Sequence, residues 1–271
     1  MKTKVGMEEK KVVVITGVSS GIGKDTAAVF SSHGWTVVGL SRTPLDDSYV
    51  CDVTDSKKVQ EVFDDIYQKY GRIDTLINNA GFGISGATEL LPDEEIKKEY
   101  DVNVLGVINC YKSAVKYMKK GAKIINIASA CALFPLPYRS LYCSSKAAVN
   151  QLSLSLNMEC KPFGVEVISV CPGDIKTNFT KNRVKVFDTN ERYGDRIKNA
   201  ADSIDNRQDK RMPVSVVSKK LYKIATKRRN KPMIIVGAKY KILYFAMRFM
   251  PLRFLLNFTE KHFGGHKKKG E

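Results

Sequence analysis

The chain has 271 residues, 43% of them apolar, with 45 Lys and Arg against 28 Asp and Glu and a formal net charge of +17. That length and apolar content can bury a full core, which argues against a disordered or fibrous polypeptide and suits one large α/β domain. Three histidines (His33, His262 and His266) and six cysteines without metal-ligand spacing disfavour a His-rich metal centre and a Ser-His-Asp hydrolase.

The chain opens on a polar lead with Lys2, Lys4, Lys10 and Lys11 and no long apolar run or cleavage pattern, so no secretion signal is expected. Short runs rich in Val and Ile predict strands at 12–16, 36–40, 49–51, 73–78, 123–128, 165–171 and 233–236. Helical periodicity lies between most of them, at 21–33, 56–70, 93–119, 140–162 and 214–229. The alternation predicts a single-domain Rossmann-type doubly wound parallel sheet over residues 1–236, with helices on both faces. The interval 43–48 is too short for a crossover helix and is expected to be a tight, extended loop. Cys51, Cys110, Cys131, Cys143, Cys160 and Cys171 sit inside periodic apolar segments, as buried thiols of a reducing, cytoplasmic compartment do.

After the first strand comes Gly17-Val18-Ser19-Ser20-Gly21-Ile22-Gly23, opening into a helix. Glycines let the backbone turn tightly around a pyrophosphate, whose charge then faces the free N–H groups and positive dipole end of that helix. The second strand ends in Ser41-Arg42, where an acid would select a ribose hydroxyl and a cation selects a ribose phosphate. Arginine's planar fork suits a phosphate monoester, with Ser41 donating beside it, so the expected cofactor is NADP(H).

Tyr142 and Lys146 are four apart on a predicted helix and project from one face. Ionising a phenol near neutrality takes roughly 3–4 kcal/mol of preferential stabilisation. An ammonium about 4 Å away supplies on the order of 4 kcal/mol at an effective dielectric of about 20. Ser129 follows the strand at 123–128, where its hydroxyl can bond a substrate oxygen beside the phenol. Asn103 falls in mid-helix, where Asn is intrinsically unfavourable, and its buried amide is expected to need partners such as a water linked to Lys146.

Together, Thr16-Gly17-x-x-x-Gly21-Ile22-Gly23, Asn78-Asn79-Ala80-Gly81, Asn103, Ser129, Tyr142-x-x-x-Lys146 and Pro172-Gly173-x-x-x-Thr177 resemble the ordered motif set of the short-chain dehydrogenase/reductase family, over about residues 11 to 180. The resemblance implies that Asp52 and Val53 lie at the adenine, and that Asn79, Ala80 and Gly81 run past the adenosine ribose. It likewise implies that Lys146 and Tyr142 flank the nicotinamide ribose, and that Pro172, Gly173, Ile175 and Thr177 hold the carboxamide end. By the same resemblance Tyr142 is the general acid in reduction and base in oxidation, Ser129 orients the carbonyl, and Asn103 supports a proton relay. The missing helix after Arg42 departs from longer members and loosens the adenine-side assignments. The alternative function is a catalytically silent protein that senses NADP(H); its signature would be damage at Tyr142, Lys146 or Ser129, and all three are present.

Phe82, Ile84, Leu133, Phe134, Pro135, Leu136, Tyr138 and Phe179 are expected to form an almost uncharged wall for a hydrophobic small-molecule substrate. Within the family this resembles the hydroxysteroid dehydrogenases and reductases of lipid carbonyls, though the same residues equally suit subunit packing in a homodimer or homotetramer. The charge-rich segment 174–212 is expected to be a mobile lid. Residues 213–271 carry 15 Lys and Arg against 2 acids. In the extension at 237–271, Lys241, Tyr244 and Arg248 share one helical face and Ile242, Phe245, Ala246 and Phe249 another, until Pro251 interrupts. Such a basic amphipathic helix fits peripheral attachment to an anionic membrane, and equally a cap on the substrate cleft with its cations in water. Nucleic acid is not expected, because no reading helix or stacking motif accompanies the charge. The His266–Lys269 cluster is expected to be disordered.

Overall fold

The computed structural model describes residues 10–179, 183–187, 191–205 and 211–265; the expectations for Lys2 and Lys4 and for the His266–Lys269 cluster fall outside these residues. In chain order the elements are β1 (Val12–Thr16), α1 (Gly21–Ser32), β2 (Thr36–Ser41), β3 (Ser48–Val50), α2 (Ser56–Tyr70), β4 (Thr75–Asn78) and β5 (Ile84–Ser85). There follow α3 (Asp93–Tyr100), α4 (Gly106–Val115), β6 (Lys123–Ile127), α5 (Ser140–Glu159), β7 (Glu166–Pro172), β8 (Ile175–Lys176), β9 (Val184–Lys185) and α6 (Arg196–Asp205). The remainder is β10 (Met212–Pro213), α7 (Ser215–Thr226), β11 (Met233–Val236), α8 (Ala238–Met247) and α9 (Leu252–Phe263).

Seven strands form one parallel sheet in the order β11-β7-β6-β4-β1-β2-β3. Alternate side chains of each strand enter opposite layers, the period-2 consequence of a pleated backbone. Val12 and Val14 pack with Val59, Phe63 and Ile66 of α2, Cys110 and Ala114 of α4 and Leu156 of α5. Val13 and Ile15 pack on the other face with Phe30 of α1 and Val217, Leu221 and Ile224 of α7. Burial on both faces explains why these strands read as unbroken apolar runs.

β3 pairs parallel to β2 although six residues connect them, because Ser48 meets Gly39, two positions below the end of β2. The chain therefore descends only about 7 Å before pairing, and no helix is required. Asp47, at φ 57°, completes that turn.

The helix expected over 93–119 is instead interrupted: α3 gives way to a π turn at Asp101–Leu105, and α4 stops at Val115. The wider turn carries Asn103 to complete burial. Gly106 follows it, where an added Cβ would lie 2.6 Å from Val53 Cγ2. Past Val115 the amides of Tyr117 and Met118 bond carbonyls three residues back, and Gly121 at φ 94° turns the chain away.

The segment 174–212 is, in its described parts, folded back onto the domain. Its β8 pairs with β10, its β9 pairs with β5, and Arg183 donates to Ser85 at 2.9 Å and to Asp205 at 3.2 Å. Residues beyond β11 return as well: Tyr240, Leu243 and Met247 of α8 and Phe263 of α9 pack on Phe134, Leu136 and Cys143. Among the described residues no helix is long and apolar enough to cross a membrane.

Candidate active site

The carboxyl ends of β1, β2, β3, β4, β6 and β7 all open into one cavity of about 850 Å³, bounded on its far side by α8 and α9. Every cofactor and catalytic residue proposed from sequence lines this cavity except Asn103, which lies directly behind its wall.

At one end is the cradle. Gly17 takes φ 70°, and Gly23 leaves no room for a side chain, since a Cβ there would lie 2.2 Å from the Gly17 carbonyl oxygen. Asn79 pins the turn by donating to the Thr16 and Gly17 carbonyls at 3.0 and 3.1 Å, while the Asn79 and Ala80 amides donate to Thr16 Oγ1. Its amide nitrogen is thus committed to the loop, a structural duty that the ribose assignment did not foresee. Ser20 caps α1 without a side-chain bond to the helix, which leaves its hydroxyl and those of the exposed Ser19 directed to the cavity rim. Ser41 Oγ accepts from the Thr43 amide at 3.1 Å and so keeps its own proton to donate. Arg42 is exposed beside it and forms no ion pair among the described residues. A Cβ-excluding cradle, a free hydroxyl at a helix start and an unpaired guanidinium fit a dinucleotide carrying a ribose phosphate. Asp52 forms a local turn, accepting from Thr54 N at 2.9 Å and Thr54 Oγ1 at 2.8 Å. Val53 is buried against Gly106 and its carbonyl accepts from Asn109 at 2.9 Å.

At the other end Ser129 caps the short turn after β6, with Oγ accepting from the Cys131 amide at 3.1 Å. Its hydroxyl is placed near enough to the Tyr142 phenol to act on the phenol's pKa. Lys146, one turn along α5, is buried and donates to the Ile127 carbonyl at 3.0 Å. Burial lowers its pKa to about 8, against the opposing effect of Glu99. Burial is also the main influence on Tyr142 and raises its pKa, with the Arg139 guanidinium and the Ser129 hydroxyl acting to lower it. Arg139 is a second cation beside the phenol, with its Cζ 4.9 Å from the ring centre.

Asn103 is satisfied by protein groups rather than by a water. Its Nδ2 donates to the Phe82 carbonyl at 2.9 Å and Ser145 Oγ at 3.1 Å, with a longer contact of 3.4 Å to Glu99 Oε1, and its Oδ1 accepts from the Phe82 amide at 3.1 Å. The clamp fixes the turn at Gly81, where an added Cβ would lie 2.8 Å from Asn103 Oδ1 and 3.3 Å from Lys146 Nζ. Past β7, Ile175 and Thr177 face the cradle, and a Cβ on Gly21 would meet Thr177 at 3.6 Å. Gly173, after Pro172, gives its side-chain space to Tyr240, whose ring would lie 2.0 Å from a Cβ there.

The substrate wall differs from expectation. Phe82, Phe134, Leu136 and Phe179 line it, but Ile84, Leu133, Pro135 and Tyr138 do not. Ile84 is buried within β5, and Tyr138, at φ 58°, turns to stack edge-on against Tyr193. Nor is the wall uncharged: Lys98, Arg139, Arg183 and Arg211 contribute to it. Two functional candidates escaped the sequence reading. Arg139 is buried, with Nε lacking a partner among the described residues. Glu99 is fully buried on α3 with Oε2 unpartnered, and burial raises its pKa to about 7. Its spacing four before Asn103 was the available signal.

Comparison with known proteins supplies independent support. The family model described as short chain dehydrogenase matches residues 11–186. The chain is 41% identical over 196 residues to a 3-ketodihydrosphingosine reductase of Bacteroides thetaiotaomicron, covering 69% of this chain and 73% of that one. It is 29% identical over 268 residues to an NADPH-dependent 3-dehydrocapnine reductase of Ornithobacterium rhinotracheale, covering 90% of this chain and 94% of the other. Among solved structures, a short-chain dehydrogenase from Streptomyces avermitilis superposes with a TM-score of 0.80 at 26% identity, covering 94% of this chain and 98% of that one.

Proposed function

The chain belongs to the short-chain dehydrogenase/reductase family, and on that premise we propose that it is an NADP(H)-dependent oxidoreductase interconverting a ketone and a secondary alcohol on a hydrophobic, lipid-like substrate. The observation that carries the reading is the meeting of Ser129, Tyr142 and Lys146 at one end of a cavity whose other end is the glycine cradle. Arg42 supports the phosphorylated cofactor. The apolar wall formed by Phe134, Leu136 and α8 supports a long hydrocarbon substrate, as do the names of the Bacteroides and Ornithobacterium relatives.

The bound cofactor supplies or accepts the hydride. Ser129 keeps its hydroxyl proton for the substrate oxygen because Oγ already accepts from Cys131 N. The Tyr142 phenol donates to that oxygen as the carbonyl carbon is reduced, and recovers its proton from solvent through the open cavity. Burial favours the protonated phenol, the form that donates in the reducing direction. Lys146, tied to Ile127, fixes a donor beside the nicotinamide ribose position, and Asn103, with Glu99 at its side, holds the Gly81–Phe82 turn behind it. A homodimer or homotetramer in the cytoplasm belongs to the proposal, supported by six free cysteines and by the apolar side chains exposed at Leu105, Met158 and Phe163.

The test is Tyr142→Phe. NADPH binding is retained while turnover of a ketone substrate falls roughly 100- to 10,000-fold; turnover near that of the unmodified protein would refute the mechanism.

A further inference from the structure

The C-terminal helices present an unusual surface. Ile242 and Phe245 on the outward side of α8, and Phe249 in the turn just past its end, are 70%, 64% and 77% exposed, and Leu252 at the start of α9 is 67% exposed. The inward side of α8 is used separately, by Tyr240, Leu243 and Met247. This is a contiguous run of large apolar groups left in water by helices already anchored through another face, which marks an interaction surface.

We propose that the outward face of α8 and α9 seats on an anionic lipid bilayer and that the ketone reaches the cavity from that bilayer. The docking half stands alone; the delivery half rests on the lipid-like substrate proposed above. Three observations select this occupant. Lys239, Lys241, Arg248, Arg253 and Lys261 accompany the apolar groups, against one acid, Glu260, between residues 238 and 263. Protruding aromatic and aliphatic groups rimmed by cations match the boundary between acyl chains and anionic headgroups. Ile242 and Phe258 belong both to this exposed surface and to the cavity wall, so the cavity opens through it. From there Ala246 and Leu255 continue the apolar lining inward to Phe134. A second copy fits worse. A two-fold contact sets each basic rim against its own image and covers the cavity mouth.

The experiment mixes the full chain with vesicles of equal parts phosphatidylcholine and phosphatidylglycerol, or of phosphatidylcholine alone, and measures co-sedimentation at low and high salt. The comparison protein is Phe245→Ser/Phe249→Ser, two exposed positions that do not line the cavity. The chain is expected to sediment with the anionic vesicles, less at high salt. The double variant loses on the order of tenfold in partitioning. It keeps its turnover of a short water-soluble ketone and loses turnover of a long-chain ketone presented in vesicles. Equal partitioning of the two proteins, or no preference for the anionic vesicles, overturns the proposal. So does a lower oligomeric mass of the double variant, which assigns the face to a second copy. Vesicle binding without NADPH oxidation on any ketone supports docking while refuting the function proposed above.

Discussion

The guanidinium carbon of Arg139 lies 4.9 Å from the centre of the Tyr142 ring, with Asp174 and Glu99 the carboxylates that act on it. Arg139 opposes the effect of burial on the phenol, so its removal moves the Tyr142 pKa further up. Arg139→Met is expected to shift the rising limb of the pH profile for alcohol oxidation to higher pH and to slow oxidation on the order of tenfold at pH 8. Reduction, which uses the protonated phenol, changes less. An unmoved oxidation profile would contradict the role given to Arg139.

Arg42→Asp exchanges the cation at the end of β2 for an acid. The ratio of NADPH to NADH preference, measured as kcat/KM, is expected to fall at least about 100-fold, from loss of a charge-assisted pair and gain of repulsion. An unchanged ratio removes the NADP(H) assignment.

Glu99 carries a pH signature in stability. Its pKa is pushed up from the usual 4.5 to about 7 in the folded protein, mainly by burial. A raised carboxyl favours the folded state below the unfolded value and loses that advantage as pH rises through the folded one. Glu99→Gln, which stays neutral, is therefore expected to gain about 1–3 kcal/mol relative to the unmodified protein between pH 4 and pH 8. Denaturant titrations of both proteins across that range check it; parallel pH dependences would show that Glu99 is not the titrating group.

Gly23→Ala places a Cβ 2.2 Å from the Gly17 carbonyl oxygen and 2.6 Å from Asn79 Nδ2, both held by the cradle's own bonds. The backbone must move, at a cost of about 1–3 kcal/mol. Calorimetry is expected to show a lower Tm, and fluorescence titration weaker NADPH binding. Wild-type values in both would mean that the cradle is looser than its contacts indicate.

The strands were legible because burial on both faces writes them as Val and Ile runs, and the cradle because its glycines answer to backbone geometry within seven residues. The helical repeat put Tyr142 and Lys146 on one face, but that spacing is common on helices, and it was Ser129, Asn103 and the cradle elsewhere in the chain that singled the pair out. Arg139 was hidden by what precedes it. Tyr138 at φ 58° swings away to Tyr193, which folds Arg139 over the ring three residues ahead, and no periodicity encodes such a reversal. The break at Asp101–Leu105 was masked because a π turn keeps the composition of an α-helix. In the tail the apolar run Ile242, Phe245 and Phe249 was readable, but the inward face of Tyr240, Leu243 and Met247 was not, because it is defined by Phe134, Leu136 and Cys143, about a hundred residues earlier.

Tyr240 occupies the space that a side chain on Gly173 would take, so the loop after β7 and the first turn of α8 are fitted to one another. Synthesis releases the chain from its N-terminal end, so the cradle, Ser129, Tyr142 and Lys146 are all made before the helices that wall the far side of the cavity. The loop at Gly173 therefore reaches its final packing only once Tyr240 has been added.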